Sequence, residues 1–428
     1  MERLFKVLRS RKDVSDWKVN IVKTSSEELF YVQKKLETNR ATDVEDISVT
    51  IYVDIDKNRG SSTFTIYPYM DEEEINKKID ENVFAAKFAL NPFFEIPSKQ
   101  DVEIEESKSN LKDRDFKDII KDVKEAVFEA DNYEDGYLSA TEIFLYKIDT
   151  RIVNSKGIDV SYTSYKGNIE TIPSWRKGGE EVELYKMIEF ESFIKEDIYS
   201  QVKEVLDLSH ARSEAVPLKE VKQGTKIILE NEEVGQLFNF FASDLTYGRK
   251  FQRVNLNEIG DCVQGENITG DKLNLKVVPY YENAIGSRAV DSDGVVLKEV
   301  SLIEDGIAKN RYGDYRFGYY LGEKNPKGMV PVIVVSKGNK SILEMEKEPY
   351  VRCVRFSGMQ LDPFSGFIGG EVRLGFYFDG EKEIPVTGFS ISGNIHQLKG
   401  SLVYSSEEVT LPRYHGPKYI EIKGMKIM

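Results

Sequence analysis

The chain is poor in the residues that usually make chemistry legible. It has two cysteines, Cys262 and Cys353, in 428 residues. One pair cannot build a disulfide framework, and no CxxC spacing offers a thiolate metal site. Both are expected to be free thiols in a reducing compartment. Three histidines are present, His210, His396 and His415, and none is followed by Glu. HExxH and HExxxH are therefore missing. A zinc hydrolase needs several N, O or S ligands and a carboxylate beside the metal-bound water. A scattered three-histidine site is the zinc arrangement left open; solvated or core histidines account for the same residues. GxxxxGK[ST], GxGxxG and GxSxG do not occur either.

Positive charge is also scarce. Lys and Arg number 59 against 73 Asp and Glu, a net charge of −14. Nucleic-acid binders present a basic face, and anionic lipid attracts basic segments. Direct contact with nucleic acid or with a membrane surface is therefore not expected. Apolar runs are short: the best, residues 329–335, is far below the roughly 20 residues that cross a bilayer. The opening residues, Met1-Glu2-Arg3-Leu4-Phe5-Lys6, contain no apolar signal region. The expected location is the cytoplasm.

What the chain does have is bulk and pattern. Apolar residues make up 40% and aromatics 11%, enough for sizeable cores. Single cores stop growing at about 250–300 residues, so two or more domains are expected. Period-2 alternation in residues 16–36 and at Val49, Ile51, Val53 and Ile55 predicts strands, with a hairpin turn at Asp56-Lys57-Asn58-Arg59-Gly60 and a return strand from Phe64. Ile75, Ile79, Val83 and Ala86 follow an acidic start at helical spacing. Further helices are expected over 116–128, 195–211 and 232–241. Short apolar runs after Gly224, among them 273–278, 317–320, 330–335, 350–356 and 371–378, read as strands. The fold class is α+β. An N-terminal mixed α/β domain of sheet plus helices covers 1–218, with a polar, linker-like stretch at 97–115. A C-terminal, mostly antiparallel β domain with few helices covers 219–428.

One segment imitates a calcium loop. In Asp131-Asn132-Tyr133-Glu134-Asp135-Gly136 and onward to Glu142, acids and glycine stand at EF-hand positions. The third position is Tyr133, which offers no carboxylate, and no second loop exists to pair with it. An ordinary acidic turn is the competing reading.

The second half carries a series of landmarks. Gly286-Ser287-Arg288 precedes Asp291-Ser292-Asp293-Gly294-Val295, and then Ser301-Leu302-Ile303-Glu304-Asp305-Gly306. Asp362-Pro363-Phe364-Ser365-Gly366-Phe367, Pro385-Val386 and Ile391-Ser392-Gly393-Asn394 follow in order. This series, with Val153-Asn154-Ser155-Lys156-Gly157 upstream, resembles the TldD/PmbA family, the modulators of DNA gyrase. The resemblance implies a two-component metalloprotease in which one subunit type holds zinc with HExxxH and a late Cys, and the other lacks them. Here the matching segment reads Asn239-Phe240-Phe241-Ala242-Ser243-Asp244. Asn239 and Asp244 stand where the two His would be, and Phe240 where the Glu would be. Phe240 cannot take a proton from water, and Asn239 is a poor zinc ligand beside imidazole. The late Cys is absent; His415 lies near its place as a weak candidate ligand.

The expectation is thus a PmbA/TldE-like, non-catalytic subunit with no cofactor and no activity of its own. It would pair with a zinc-bearing TldD-like subunit in processing unfolded peptides, which sheet edges could hold by strand addition. The alternatives are a stand-alone homodimer that binds peptides or another ligand, and an enzyme using residues that sequence does not group. Any link to gyrase would be indirect.

Overall fold

The computed structural model describes residues 1–100, 104 and 106–428. Part of the linker-like stretch, 101–103 and 105, lies outside them. The protein is an α+β fold whose strands form three sheets.

The first sheet has eight strands. In chain order the first part of the protein runs α1 (Glu2–Ser10), β1 (Asp16–Val32), β2 (Lys35–Ile55), β3 (Asn58–Ile66), α2 (Glu72–Ala86), β4 (Leu90–Pro92), α3 (Phe116–Ala130), β5 (Gly136–Asn154), β6 (Asp159–Lys177), β7 (Glu180–Glu183), β8 (Lys186–Phe190) and α4 (Lys195–Glu214). The strand order is β4-β3-β2-β1-β5-β6-β7, with β8 also on β6. Successive strand residues face opposite sides, and the sequence uses the two sides differently. Trp17, Val19 and Ile21 of β1 pack under α1 and α2. Leu29 and Tyr31, on the same side, pack under α3 and α4. The alternate residues Lys18, Asn20, Ser26, Glu28 and Phe30 lie on the other face, away from α1 to α4. Helix α2 starts on a capping box, with Asp71 and Glu74 each accepting from the other's backbone N–H.

The second part continues with β9 (Val216–Pro217), β10 (Lys226–Glu230), α5 (Glu232–Asp244), α6 (Tyr247–Phe251), β11 (Leu275–Val278), β12 (Val300–Glu304), β13 (Ile307–Ala308), α7 (Tyr315–Tyr320), β14 (Val332–Val335), α8 (Ile342–Met345), β15 (Tyr350–Leu361), β16 (Phe367–Phe378), β17 (Glu383–Thr387), β18 (Phe389–Asn394), α9 (Ile395–Leu398), β19 (Val403–Tyr404), β20 (Glu408–Leu411), β21 (Tyr414–Pro417), β22 (Tyr419–Ile422) and β23 (Lys426–Ile427). One sheet runs β19-β22-β10-β15-β16-β17-β9, with β18 and β23 attached through β16. The other runs β13-β12-β11-β14-β21-β20. Pairing is mostly antiparallel, but β10 with β15, β14 with β21 and β17 with β9 are parallel. The short β9, read from sequence as the end of the first domain, adds to this second half. Val234, Leu237, Phe238 and Phe241 of α5 enter one core with residues of both sheets.

Three segments bear on the sequence reading. Residues 16–36, read as strands around a turn, hold β1 without interruption to Val32, a turn at 33–34 and the start of β2 at Lys35, so the turn comes after Tyr31 and not between Ile21 and Leu29. Residues 317–320 are helical, because Asp314 caps α7 by accepting from the Arg316 N–H. The EF-hand-like residues do not curl around a point. Asp131 ends α3, facing Lys34 at 3.6 Å, while Glu142 lies inside β5 opposite Phe30 and Glu170. Among the described residues no helix is long and apolar enough to cross a membrane.

The two parts meet at the turn 291–294. The buried Asp291 carboxylate accepts from the N–H groups of Asp293 (2.9 Å), Val295 (3.0 Å) and Met329 (3.2 Å). Gly294 has φ +80°, and a Cβ there would stand 2.8 Å from Ile158 of the first part. Lys18 pairs with Asp293, and Asn20 Nδ2 donates to Ser292 O at 3.3 Å.

Candidate functional site

Helix α5 is set by its sequence. Glu232 and Glu233 occupy the first turn, where the helix dipole favours acids. The apolar residues fall at helical spacing and turn one side inward. Gln236 Nε2 ties the helix to the Met359 carbonyl of β15 at 3.2 Å. The opposite side carries Asn239, which is exposed.

Asn239, Phe240 and Asp244, the positions set against the family motif, do different jobs. Phe240 is 9% exposed, with its ring 5.1 Å from Phe241 and 6.2 Å from His396. Asp244 is 3% exposed. Its carboxylate accepts from the Leu256 N–H (2.5 Å), the Asn257 N–H (3.0 Å) and Asn257 Nδ2 (2.9 Å), so it pins the following loop. A carboxylate satisfied by three donors, beside a phenyl ring and an amide, does not fit zinc. Among the described residues no group of three or more His, Cys, Asp or Glu is placed to hold a metal ion.

The three histidines stand apart. His210 stacks on Trp175 at 4.4 Å. His415 stacks on Tyr281 at 4.0 Å, with Nδ1 3.0 Å from Thr410 Oγ1 and Nε2 3.4 Å from Glu408. Burial first, opposed by Glu408, lowers its pKa. Its neighbour Tyr414 faces α5 through Phe238, so the strand alternation turns His415 away from that helix.

His396 is the histidine that reaches α5. The turn between β15 and β16, residues 362–366, brings it there. Gly366 has φ +77°, and a Cβ on it would stand 2.4 Å from His396 and 2.6 Å from Asn394. Asn394 Nδ2 donates to Ser365 O (3.1 Å), and Asn394 Oδ1 accepts from the His396 N–H (3.0 Å). Pro363, Gly366 and Asn394 thus join in one locked corner. Gly393 closes it, since a Cβ there would stand 2.8 Å from Leu398. Asp293 and Gly294 belong instead to the interdomain turn. Glu304 and Gly306 belong to the β12–β13 hairpin, where Glu304 accepts from Ser301 Oγ at 2.8 Å.

Residues that the sequence did not single out complete the site. Arg249 of α6 lies 5.8 Å from the exposed Phe364 ring, and its Nη1 is buried without a partner. Lys399, half-buried at the end of α9, has its pKa lowered by that burial. Burial pushes Glu233 up to about 7. Glu230, beneath it, is also raised by burial while Arg352 opposes at 3.3 Å. Cys353 is fully buried, and burial raises its thiol well above the usual range. Arg249, Phe364, His396 and Lys399 thus lie toward the C-terminal end of α5, and Glu230 and Glu233 toward its N-terminal end.

Residues 222–428 match the family profile described as the PmbA/TldA metallopeptidase C-terminal domain. No curated protein matches at a significant level. Among solved structures the chain is similar to TldE from Thermococcus kodakarensis, at 15% identity and TM-score 0.79 over 99% of both chains. It is similar to a proposed modulator of a DNA gyrase from Thermotoga maritima, at 18% identity and TM-score 0.77, over 100% of this chain and 99% of that one. A further proposed modulator of DNA gyrase, from Bacteroides thetaiotaomicron, shares 16% identity at TM-score 0.76, over 100% of this chain and 96% of that one. These identities speak for the fold alone. The profile match places residues 222–428 in the PmbA/TldD family, on a fold that the whole chain shares with these solved structures.

Proposed function

We propose that this chain is the zinc-free, TldE-like member of a two-subunit peptidase, pairing with a zinc-bearing TldD-like subunit that acts on unfolded peptides. The observation that carries the reading is the condition of the Asn239, Phe240 and Asp244 positions. One is an exposed amide, one a packed ring and one a loop-pinning carboxylate. The corner of Pro363, Gly366 and Asn394 and the aromatic pair Phe364 and Phe367 at its rim support a role in holding substrate or partner. The likeness to TldE points the same way. The acidic total charge favours a protein partner over nucleic acid.

The test is elemental analysis and peptidase assay on the pure chain, on an HExxxH homologue, and on their mixture. The chain alone is expected to carry no zinc and cleave nothing, and the mixture to copurify, hold zinc and cleave unfolded peptide. Stoichiometric zinc on the chain alone would overturn the reading. Failure of the two to associate would favour the stand-alone homodimer.

A further inference from the structure

The cleft between the two parts of the molecule is a built polar site that the peptidase reading does not use. It has a volume of about 120 Å³. Lys18 and Tyr52 enter it from the bare face of the first sheet, Phe94 from the segment after β4, and Asp293, Asp314 and Arg316 from the second part. A cavity needs about 10–15 Å³ of such space for one water, so this one admits a molecule the size of a single amino acid.

Its charges are incompletely matched. Lys18 pairs with Asp293. One oxygen of Asp314 accepts from the Arg316 N–H at 2.9 Å, and no donor reaches the other among the described residues. The Arg316 guanidinium lies 4.7 Å from the Phe317 ring and 6.0 Å from Phe94, with no hydrogen-bond or ion-pair partner among the described residues. A guanidinium held by rings keeps all five N–H donors in a fixed fork suited to a carboxylate. Tyr52 is 7% exposed, and burial raises its pKa, which keeps its hydroxyl a neutral donor. Arg59 stands behind this wall, 5.4 Å from the Tyr52 ring, but is already paired with Asp16 and Asp54.

A plain anion entering the cleft would meet Asp293 and Asp314. A plain cation would meet Arg316 and Lys18. A small molecule bearing both charges a few ångströms apart satisfies both. We propose that the interdomain cleft binds a free α-amino acid, with its carboxylate on Arg316 and Tyr52, its ammonium on Asp314 and an apolar side chain against Phe94. Because its walls come from both parts, the bound molecule stabilises their docked arrangement.

The full chain would be titrated calorimetrically with L-leucine, N-acetyl-L-leucine, L-leucinamide and acetate, after a thermal-shift screen of the proteinogenic amino acids. Leucine or another apolar amino acid is expected to bind and raise Tm. The two singly charged analogues are expected to bind at least about tenfold more weakly, as loss of a charged partner implies. Arg316→Gln and, separately, Asp314→Asn are each expected to weaken binding by a similar factor. No binding by any amino acid at about 10 mM, past the millimolar scale of weak ligands, would overturn the proposal. So would acetate or N-acetyl-leucine binding as well as leucine, or unchanged affinity in either variant. The two variants and the analogue series are independent, so poor folding of one variant leaves the others to decide.

Discussion

Glu233 shows how one buried acid couples this molecule to pH. In an unfolded chain a glutamate titrates near 4.3, whereas burial on α5 pushes Glu233 up to about 7. Between those values the folded protein binds the proton and the unfolded chain does not. Stability is therefore greatest below the lower value and falls as pH rises through the window, and above 7 the penalty is complete. The shift corresponds to about 4 kcal/mol at most. Glu233→Gln, which is neutral at every pH, is expected to flatten the Tm profile between pH 5 and pH 8 and to exceed the parent at pH 8. Thermal melts across that range check it; identical pH slopes in the two proteins would remove Glu233 as the source. At the same scale, Asp244 shows why a residue in a ligand's place is not a ligand. Its oxygens are occupied by the loop that follows, a fact visible only once residues 244 and 256–257 are folded together.

At the scale of elements, α5 is held by its inward face. Phe238 is fully buried, 5.2 Å from the Tyr404 ring and 5.8 Å from Tyr414. Phe238→Ala is expected to cost about 3–5 kcal/mol, while Asn239→Ala on the outward face should change stability by less than about 0.5 kcal/mol. Urea unfolding of both variants measures the contrast. Elements with two agreeing signals were legible in sequence: α2 had an acidic cap and a 3.6 period, and the 47–66 hairpin had alternation and a turn. Helix α1 was missed because it is nine residues long and its N-cap position, Met1, makes no side-chain cap bond. The 315–320 helix was read as a strand because its aromatic residues favour strands and outweighed the Asp314 cap. The polar halves of β1 and β2 hid their length, since a strand with one solvated face loses the apolar run that marks it. Helix α5 was legible through the spacing of its apolar residues. The approach of His396 to Phe240 was not, because β16 and β18, strands distant from α5 in sequence, create it.

At the scale of the whole molecule, the joint at 291–294 rests on a glycine. Gly294→Ala would combine a positive φ with a Cβ 2.8 Å from Ile158, so a loss of about 1–3 kcal/mol is expected. Calorimetry and limited proteolysis would register it as a lower first transition and faster cleavage between the two parts; an unchanged melt would mean the joint yields without cost. The long central strand carries a different consequence, one of timing. β1 pairs with β2 almost at once in sequence, but its other edge waits for β5, whose Asn154 meets Lys18 and whose Ala140 meets Val32. On a ribosome adding about 5–20 residues per second, the β1–β2 hairpin stands with an open edge for several seconds before its partner is made. Bare edges recruit other chains, and β1 and β2 bring mostly charged and hydroxyl side chains to the face that α1 to α4 leave uncovered. The same polar residues that conceal these strands from a sequence reader keep the nascent hairpin from sticking to its neighbours while it waits.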